Sequence, residues 1–315
     1  MKITVIIPTY RRPQDLARCL SALQEQTRLA DEILVIIRQS DLQTWDYFKT
    51  FNFELLPLKT LMVEVPGVVA AMNLGLDAAT GDLIAFTDDD AAPHPSWLER
   101  MECHFVLDER IGGVGGRDFV YYGTQESWLI EGERQIVGQL LWYGKMIGNH
   151  HLGIGTAREV DVLKGVNMSF RKTAIHNQRF DCRMRGSGAQ VHYEMAFCFA
   201  LKDEGWKLIY DPTIAVNHYG SPRFDEDRRG QFNETALINL AHNETLALLE
   251  YLGLTRRFFF LMWAILVGNR ATPGFLQWLR LLPSEGKLAR QKMFASLQGR
   301  WLGWKTWQQS CLPKI

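Results

Sequence analysis

Leu83-Ile84-Ala85-Phe86-Thr87-Asp88-Asp89-Asp90 runs from four apolar residues, the length of a short strand, directly into three adjacent carboxylates. Residues 68 to 79, just upstream, are rich in Ala and Leu and read as a helix stopped at Gly81. Further out, Leu61 to Val65, Ile33 to Ile37 and Ile3 to Ile7 are apolar runs of buried-strand length. Pro8 ends the first of these, and Pro13 to Gln26 then shows helical spacing at Leu16, Leu20 and Leu23. Strands alternating with helices predict an α/β fold, a mostly parallel sheet flanked by helices, whose ligands bind beyond the carboxyl ends of the strands. The acidic triplet therefore falls at a ligand-binding edge.

Three carboxylates at the end of a buried strand repel one another unless a cation or solvent neutralises them. A hard divalent ion, Mn²⁺ or Mg²⁺, is the natural solution. The competing reading is a solvated loop leading into the helix start at Pro95-Ser96-Trp97-Leu98-Glu99.

A chain of 315 residues, 47% hydrophobic and 22% charged, can bury a full core and exceeds one compact domain. The expected division is a catalytic domain over 1–225 and a helical extension over 226–315. Equal numbers of basic and acidic side chains, 35 of each, give no chain-wide attraction to nucleic acid. Residues 255 to 315 nevertheless carry ten basic residues against the single acid Glu285, a local charge of +9. Trp263, Trp278, Trp301, Trp304 and Trp307 are interleaved with them. Phe258 to Val267 is an apolar run of ten residues, whereas a spanning helix needs roughly 20. Basic residues with tryptophan suit a helix lying on an anionic membrane surface; a helical hairpin packed on the catalytic domain is the alternative. The five cysteines are widely spaced and form no C-x-x-C pair, which fits a reducing cytosol. No export signal is read, so the expected location is the cytoplasm, on the inner face of the membrane if the tail associates.

Four blocks in order resemble the inverting glycosyltransferase family 2, whose members share the GT-A fold. They are Val5-Ile6-Ile7-Pro8-Thr9-Tyr10-Arg11-Arg12, residues 67 to 90, Leu163-Lys164-Gly165-Val166-Asn167-Met168-Ser169-Phe170-Arg171, and Glu194 through His218. The resemblance implies a nucleotide diphosphate sugar donor and a hydroxyl acceptor. Donor contacts would come from Pro8, Thr9, Tyr10, Arg12, Asn73, Asp88 and Asp89. Asp90 and Asp88, with His218 at the end of a later strand, would hold the metal. Gly165, Asn167 and Arg171 would lie against the donor sugar or acceptor, and Glu194 would be the general base.

Two positions depart from the family pattern. Arg38 stands where an acid usually holds the uracil ring, although a guanidinium can itself stack on a base or pair with a phosphate. Met72 replaces an arginine often found before Asn73. A nucleotidyltransferase is the first alternative, but no Gly-rich, Lys-containing loop is present to cradle a triphosphate. A non-catalytic sugar-nucleotide-binding or membrane scaffold is the second.

Overall fold

The computed structural model describes residues 1–50, 56–122, 128–129 and 132–311. The side chain of Trp128 and the basic residue Lys314 lie outside the described residues.

The chain begins with β1 (Ile3–Thr9), α1 (Pro13–Gln24), β2 (Glu32–Arg38), α2 (Leu42–Thr50), β3 (Leu58–Val63), α3 (Val68–Ala78) and β4 (Leu83–Phe86). Six of the seven residues of β1 and of β2 are buried, which is why these strands read as continuous apolar runs without alternation. Pro13 opens α1, and Leu16, Cys19, Leu20 and Leu23 form its buried stripe. Gly81 sits where an added Cβ would lie 2.7 Å from the Thr4 backbone nitrogen, so the α3-to-β4 turn tolerates no side chain there.

The chain continues through β5 (Ala91–Pro93), α4 (Trp97–Leu107), β6 (Ile111–Tyr122) and the two-residue strands β7 (Trp128–Leu129), β8 (Gln139–Leu140), β9 (Met146–Ile147) and β10 (Arg158–Glu159). Then come β11 (Met168–Arg171), α5 (Tyr193–Asp203) and β12 (Lys207–His218). The strand order is β10-β12-β6-β11-β4-β1-β2-β3. β3, β2, β1 and β4 are mutually parallel, whereas β11 lies antiparallel between β4 and β6. The chain thus winds outward from β1 through β2 to β3, then returns to place β4 on the other side of β1. That reversal opens a crevice beyond the carboxyl ends of β1 and β4.

β6 is a twelve-residue strand whose sequence shows neither a continuous apolar run nor alternation. Its glycines hide the strand pattern and admit close neighbours: a Cβ at Gly115 would lie 2.5 Å from the Asn167 carbonyl oxygen.

The chain forms two compact units, one of 1–139, 147–180 and 197–222, the other of 140–146, 181–196 and 223–315. The second unit contains α6 (Glu234–Tyr251), α7 (Leu254–Leu266), α8 (Phe275–Glu285) and α9 (Lys287–Cys311). It also takes up two segments that the expected division at 225 assigned to the catalytic part. Within it, Gly303 lets α9 approach α6 so closely that a Cβ would lie 2.6 Å from the His242 carbonyl oxygen. Beside it the buried Arg300 of α9 pairs with the buried Glu244 of α6 at 2.5 Å.

On α7 only Phe260 and Ala264 are buried. Phe258, Met262, Ile265 and Leu266 are exposed, as are Phe275, Leu276, Leu279 and Leu282 of α8. Among the described residues, no helix is long and apolar enough to cross a membrane.

His150 opens a short 3₁₀ turn, His150–Leu152, in the first unit and is buried there. Its Nε2 donates to the Val162 carbonyl at 2.8 Å, and burial lowers its pKa to about 4. The unfolded chain takes up this proton near pH 6.5, the native protein only near pH 4, so the contribution is complete above pH 6.5 and declines as pH falls to 4. The expected loss is about 3 kcal/mol. Urea denaturation at a series of pH values should show it in the wild type, and His150→Gln, which keeps an amide donor, should lack that component.

Candidate active site

The crevice is lined first by the end of β1. Thr9 Oγ1 donates to Asp89 Oδ2 at 2.8 Å, and Arg12 reaches Asp89 Oδ1 at 2.7 Å and Asp90 Oδ2 at 3.0 Å. The intervening loop holds a strained backbone: Arg11 has φ +58°, rare for a residue with a side chain, and its N–H donates to Asp41 Oδ2 at 2.6 Å. Asp41 is buried and also accepts from the Thr44 hydroxyl at 2.7 Å, so it anchors this loop and the start of α2 together.

β5 and β12 supply the other wall. Their antiparallel pairing sets His218 opposite Ala91, immediately after the triplet. Tyr219 N–H donates to the Asp90 carbonyl at 2.8 Å and Ser221 N–H to Asp90 Oδ2 at 3.0 Å. His218 Nε2 lies 3.4 Å from Asp90 Oδ1. Its Nδ1 faces Asp118 Oδ2 of β6 at 3.6 Å, and Lys164 is ion-paired to the same oxygen. Neither Asp118 nor Lys164 was assigned a role from sequence. Asp118 follows a glycine-rich stretch, and an acid inside a strand is the one signal that marks it.

The electrostatics follow from burial against pairing. Burial raises the Asp89 carboxyl, Arg12 pulls it back, and the charge of Asp90 raises it again, leaving it above the ordinary carboxylate range. Burial alone would lower Arg12, but Asp89, Asp90 and Asp88 hold it firmly protonated. Burial would likewise lower His218, yet the facing carboxylates of Asp118 and Asp90 bring it up to about 9. Asp118, which burial would raise, is held well below the usual range by Lys164 and His218.

Ligand atoms of Asp88, Asp90 and His218 all lie within 4.8 Å of one another. Two carboxylates and one imidazole make a donor set that fits a divalent ion of the Mn²⁺ type, since oxygen ligands suit Mn²⁺ and Mg²⁺ while imidazole favours transition metals. Asp118 behind the histidine completes the carboxylate–histidine pattern that orients a metal-binding imidazole.

The remaining expected residues divide sharply. The ring of Tyr10 lies under two guanidinium groups, Arg38 at 4.3 Å and Arg11 at 5.0 Å, so the departure at Arg38 is brought directly to the loop after β1. Pro8 closes the apolar part of β1 in the same loop. Asp89, expected as a donor contact, is fully buried, and Thr9 and Arg12 hold its oxygens. Arg12 is correspondingly turned inward onto the triplet. Asn73 exchanges hydrogen bonds with the Phe180 backbone at 2.8 and 2.9 Å, which makes it a clamp on that segment.

Asn167 is buried and bonded to Trp97 Nε1 at 2.8 Å and to the carbonyls of Ile214 at 2.9 Å and Arg117 at 3.2 Å. Those partners use both its N–H donors, so Asn167 fastens strands together. Arg171 donates to the carbonyls of Phe105 at 2.6 Å and Ile111 at 3.1 Å, satisfying the end of α4. Gly165 lies buried in the turn closed by the Lys164–Asn167 bridge. Glu194 occupies the first turn of α5, in the second unit.

A family model described as Glycosyl transferase family 2 matches residues 4–175, more than half of the chain. The chain belongs to glycosyl transferase family 2. This glycosyltransferase is 28% identical over 236 residues to the amylovoran biosynthesis glycosyltransferase AmsB of Erwinia amylovora, covering 73% of this chain and 74% of that protein. It is 35% identical over 101 residues to glycosyltransferase AglE of Haloferax volcanii, covering 31% of this chain and only 33% of that relative's length. Among solved structures, the mannosyltransferase PcManGT from Pyrobaculum calidifontis, in complex with GDP-Man and Mn²⁺, superposes with a TM-score of 0.56 at 16% identity, over 99% of this chain and 88% of that one. GalNAc-T7 with UDP, GalNAc and Mn²⁺ gives 0.65 at 13% identity, over 99% and 58%. The fold of this glycosyltransferase is GT-A.

Proposed function

We propose that the enzyme transfers a sugar, with inversion, from a nucleoside diphosphate sugar to a hydroxyl of a saccharide or lipid-linked saccharide during polysaccharide or glycolipid synthesis. A UDP-sugar is the favoured donor. The observation that carries this reading is the cluster of Asp88, Asp90 and His218 at the reversal of a GT-A sheet, beside the Tyr10 loop. Structural neighbours holding GDP-Man or UDP with Mn²⁺ support it.

Cleaving a glycosyl–diphosphate bond develops negative charge on the leaving phosphate. A Mn²⁺ or Mg²⁺ ion held by Asp88, Asp90 and His218 would supply the opposing positive charge. Arg12 and Asp89 position Asp90 from within, and Asp118 orients His218. Tyr10 offers a ring to the base, with Arg38 stacked against it. Glu194, at the start of α5, accepts the proton of the attacking hydroxyl. We assign the transfer chemistry to 1–225 and a surface role to 226–315, whose exposed apolar faces on α7 and α8 sit with exposed Arg280, Lys287, Arg290 and Lys305. That combination suits peripheral association with an anionic membrane on its cytoplasmic face.

Nucleoside diphosphate binding should require Mn²⁺ or Mg²⁺ in calorimetric titration, and Asp90→Asn should weaken it at least tenfold, each tenfold being about 1.4 kcal/mol. Equal affinity in EDTA and in Mn²⁺ overturns the metal assignment.

Glu194→Gln keeps the shape but cannot take a proton. It should bind donor normally and reduce transfer by roughly 10²- to 10⁴-fold. Wild-type turnover in this variant, or a loss of donor binding like that of Asp90→Asn, removes Glu194 from the role.

Full-length protein should co-sediment with phosphatidylserine-containing vesicles at low salt and be released by high salt, at about 1 kcal/mol per basic residue near the surface. Phe258→Ser combined with Leu276→Ser should weaken the association without lowering the melting temperature. No co-sedimentation at low salt assigns these helices to protein packing.

A further inference from the structure

The second unit contains a cavity of about 210 Å³ between the 185–191 loop, the start of α6 and the α7–α8 turn. It is smaller than the roughly 300–1,000 Å³ of pockets for drug-sized ligands, and suits a single ring. Arg185, Gln190, Glu226, Phe232, Asn239 and Arg270 are among its lining residues.

This cavity is built, not incidental. Asn243 Oδ1 accepts from Arg185 N–H at 2.8 Å, and its amide donates to the carbonyls of Arg185 at 3.0 Å and Val191 at 3.1 Å, closing the loop at both ends. Gln190 donates from its side chain to the Met184 carbonyl at 2.7 Å while its backbone adopts φ +41°. Such strain persists only where surroundings over-determine a residue, and it clusters at ligand sites. At Gly188 a Cβ would collide with the Asp225 carboxylate. Opposite, Asn269 Oδ1 accepts from the N–H groups of Ala271 and Thr272 at 2.8 Å each, fixing the turn that presents Arg270.

The polar lining has a definite chemical bias. Glu226 is turned to the loop, accepting from Ser187 N–H at 2.9 Å and Ser187 Oγ at 2.5 Å, and from Asn239 at 3.3 Å. Asp227 is paired with Arg223, and Lys292 with Glu285. Arg185 and Arg270 have no carboxylate partner among the described residues. Two guanidinium forks match the planar oxygens of a carboxylate or the face of a phosphate. Amide and carboxylate groups bond hydroxyls, and Phe232, 39% exposed, offers an apolar ring face.

We propose that this cavity is a subsite for an acidic sugar, a pyranose bearing a carboxylate or phosphate group, within the acceptor. Its assignment to the acceptor rests on the transfer reading. The loop that forms it runs directly into α5, three residues from Val191 to Glu194, so one rigid segment would hold both the bound sugar and the proposed base.

The test titrates the full chain with glucuronate, glucose 6-phosphate and glucose, followed by calorimetry or ligand-observed NMR. At least one acidic sugar should bind tenfold or more tightly than glucose. The tighter of the two acidic ligands identifies the recognised group. Arg185→Gln and Arg270→Gln, both checked for folding by circular dichroism, should each weaken that binding by roughly 10- to 100-fold. Glucose binding as tightly as both acidic sugars, no saturable binding of any of the three, or unchanged affinity in both variants overturns the proposal. Wild-type binding of nucleoside diphosphate with Mn²⁺ is measured in parallel. If that fails while the acidic sugar binds as expected, the subsite stands and the transfer reading falls.

Discussion

Arg12 spanning Asp89 and Asp90 is the interaction on which the site depends. Three consecutive carboxylates at the buried end of a strand are mutually repulsive, and two of them are almost wholly withdrawn from solvent. One guanidinium, itself mostly covered, offsets both. The triplet is thereby divided by function. Asp89 is an anchor to Thr9 and Arg12, whereas Asp90, equally buried, turns one oxygen to Arg12 and the other to His218, so that it groups with Asp88 and His218. The triplet lies beyond the end of β4 in a turn closed by the Ala91 N–H donating to the Asp88 carbonyl at 3.1 Å, so the turn rather than strand alternation sets where its carboxylates point.

Legibility in sequence tracked how local the controlling interaction was. β1, β2 and β4 were visible because burial on both faces produces uninterrupted apolar runs, and α1 because its buried stripe has helical spacing. The acidic triplet was visible as a contradiction, charge placed at the end of a buried strand. β6 was not visible, since its glycines replace the side chains that would show a pattern. Asp118 and Lys164 escaped because their importance comes from the register that brings β6 alongside β12 and His218.

The third motif block shows the opposite failure. Asn167 and Arg171 look functional in a linear motif, yet their partners lie at 97, 117 and 214, and at 105 and 111. Polar residues buried among strand ends must be hydrogen-bonded, and that requirement alone accounts for an Asn and an Arg at these positions. Glu32 makes the same point at the far end of the sheet. It accepts from Thr4, Thr80 and Lys59 and stays ionised as a structural acid. Asp88 and Asp90 differ in lying beside an imidazole at the ligand-binding edge.

The short β5–β12 ladder bears on how selective the centre is. Asp90 precedes β5 directly and His218 closes β12, so the two donors are stitched into one hydrogen-bonded ribbon, with the backbone of Tyr219 bonded to that of Asp90. Their separation is set by strand spacing and not by side-chain adjustment. A chelate with its bite fixed in this way loses little entropy when it closes on an ion. An ion held there would be selected by radius, because the ribbon could widen for a larger cation only by breaking its β5–β12 hydrogen bonds.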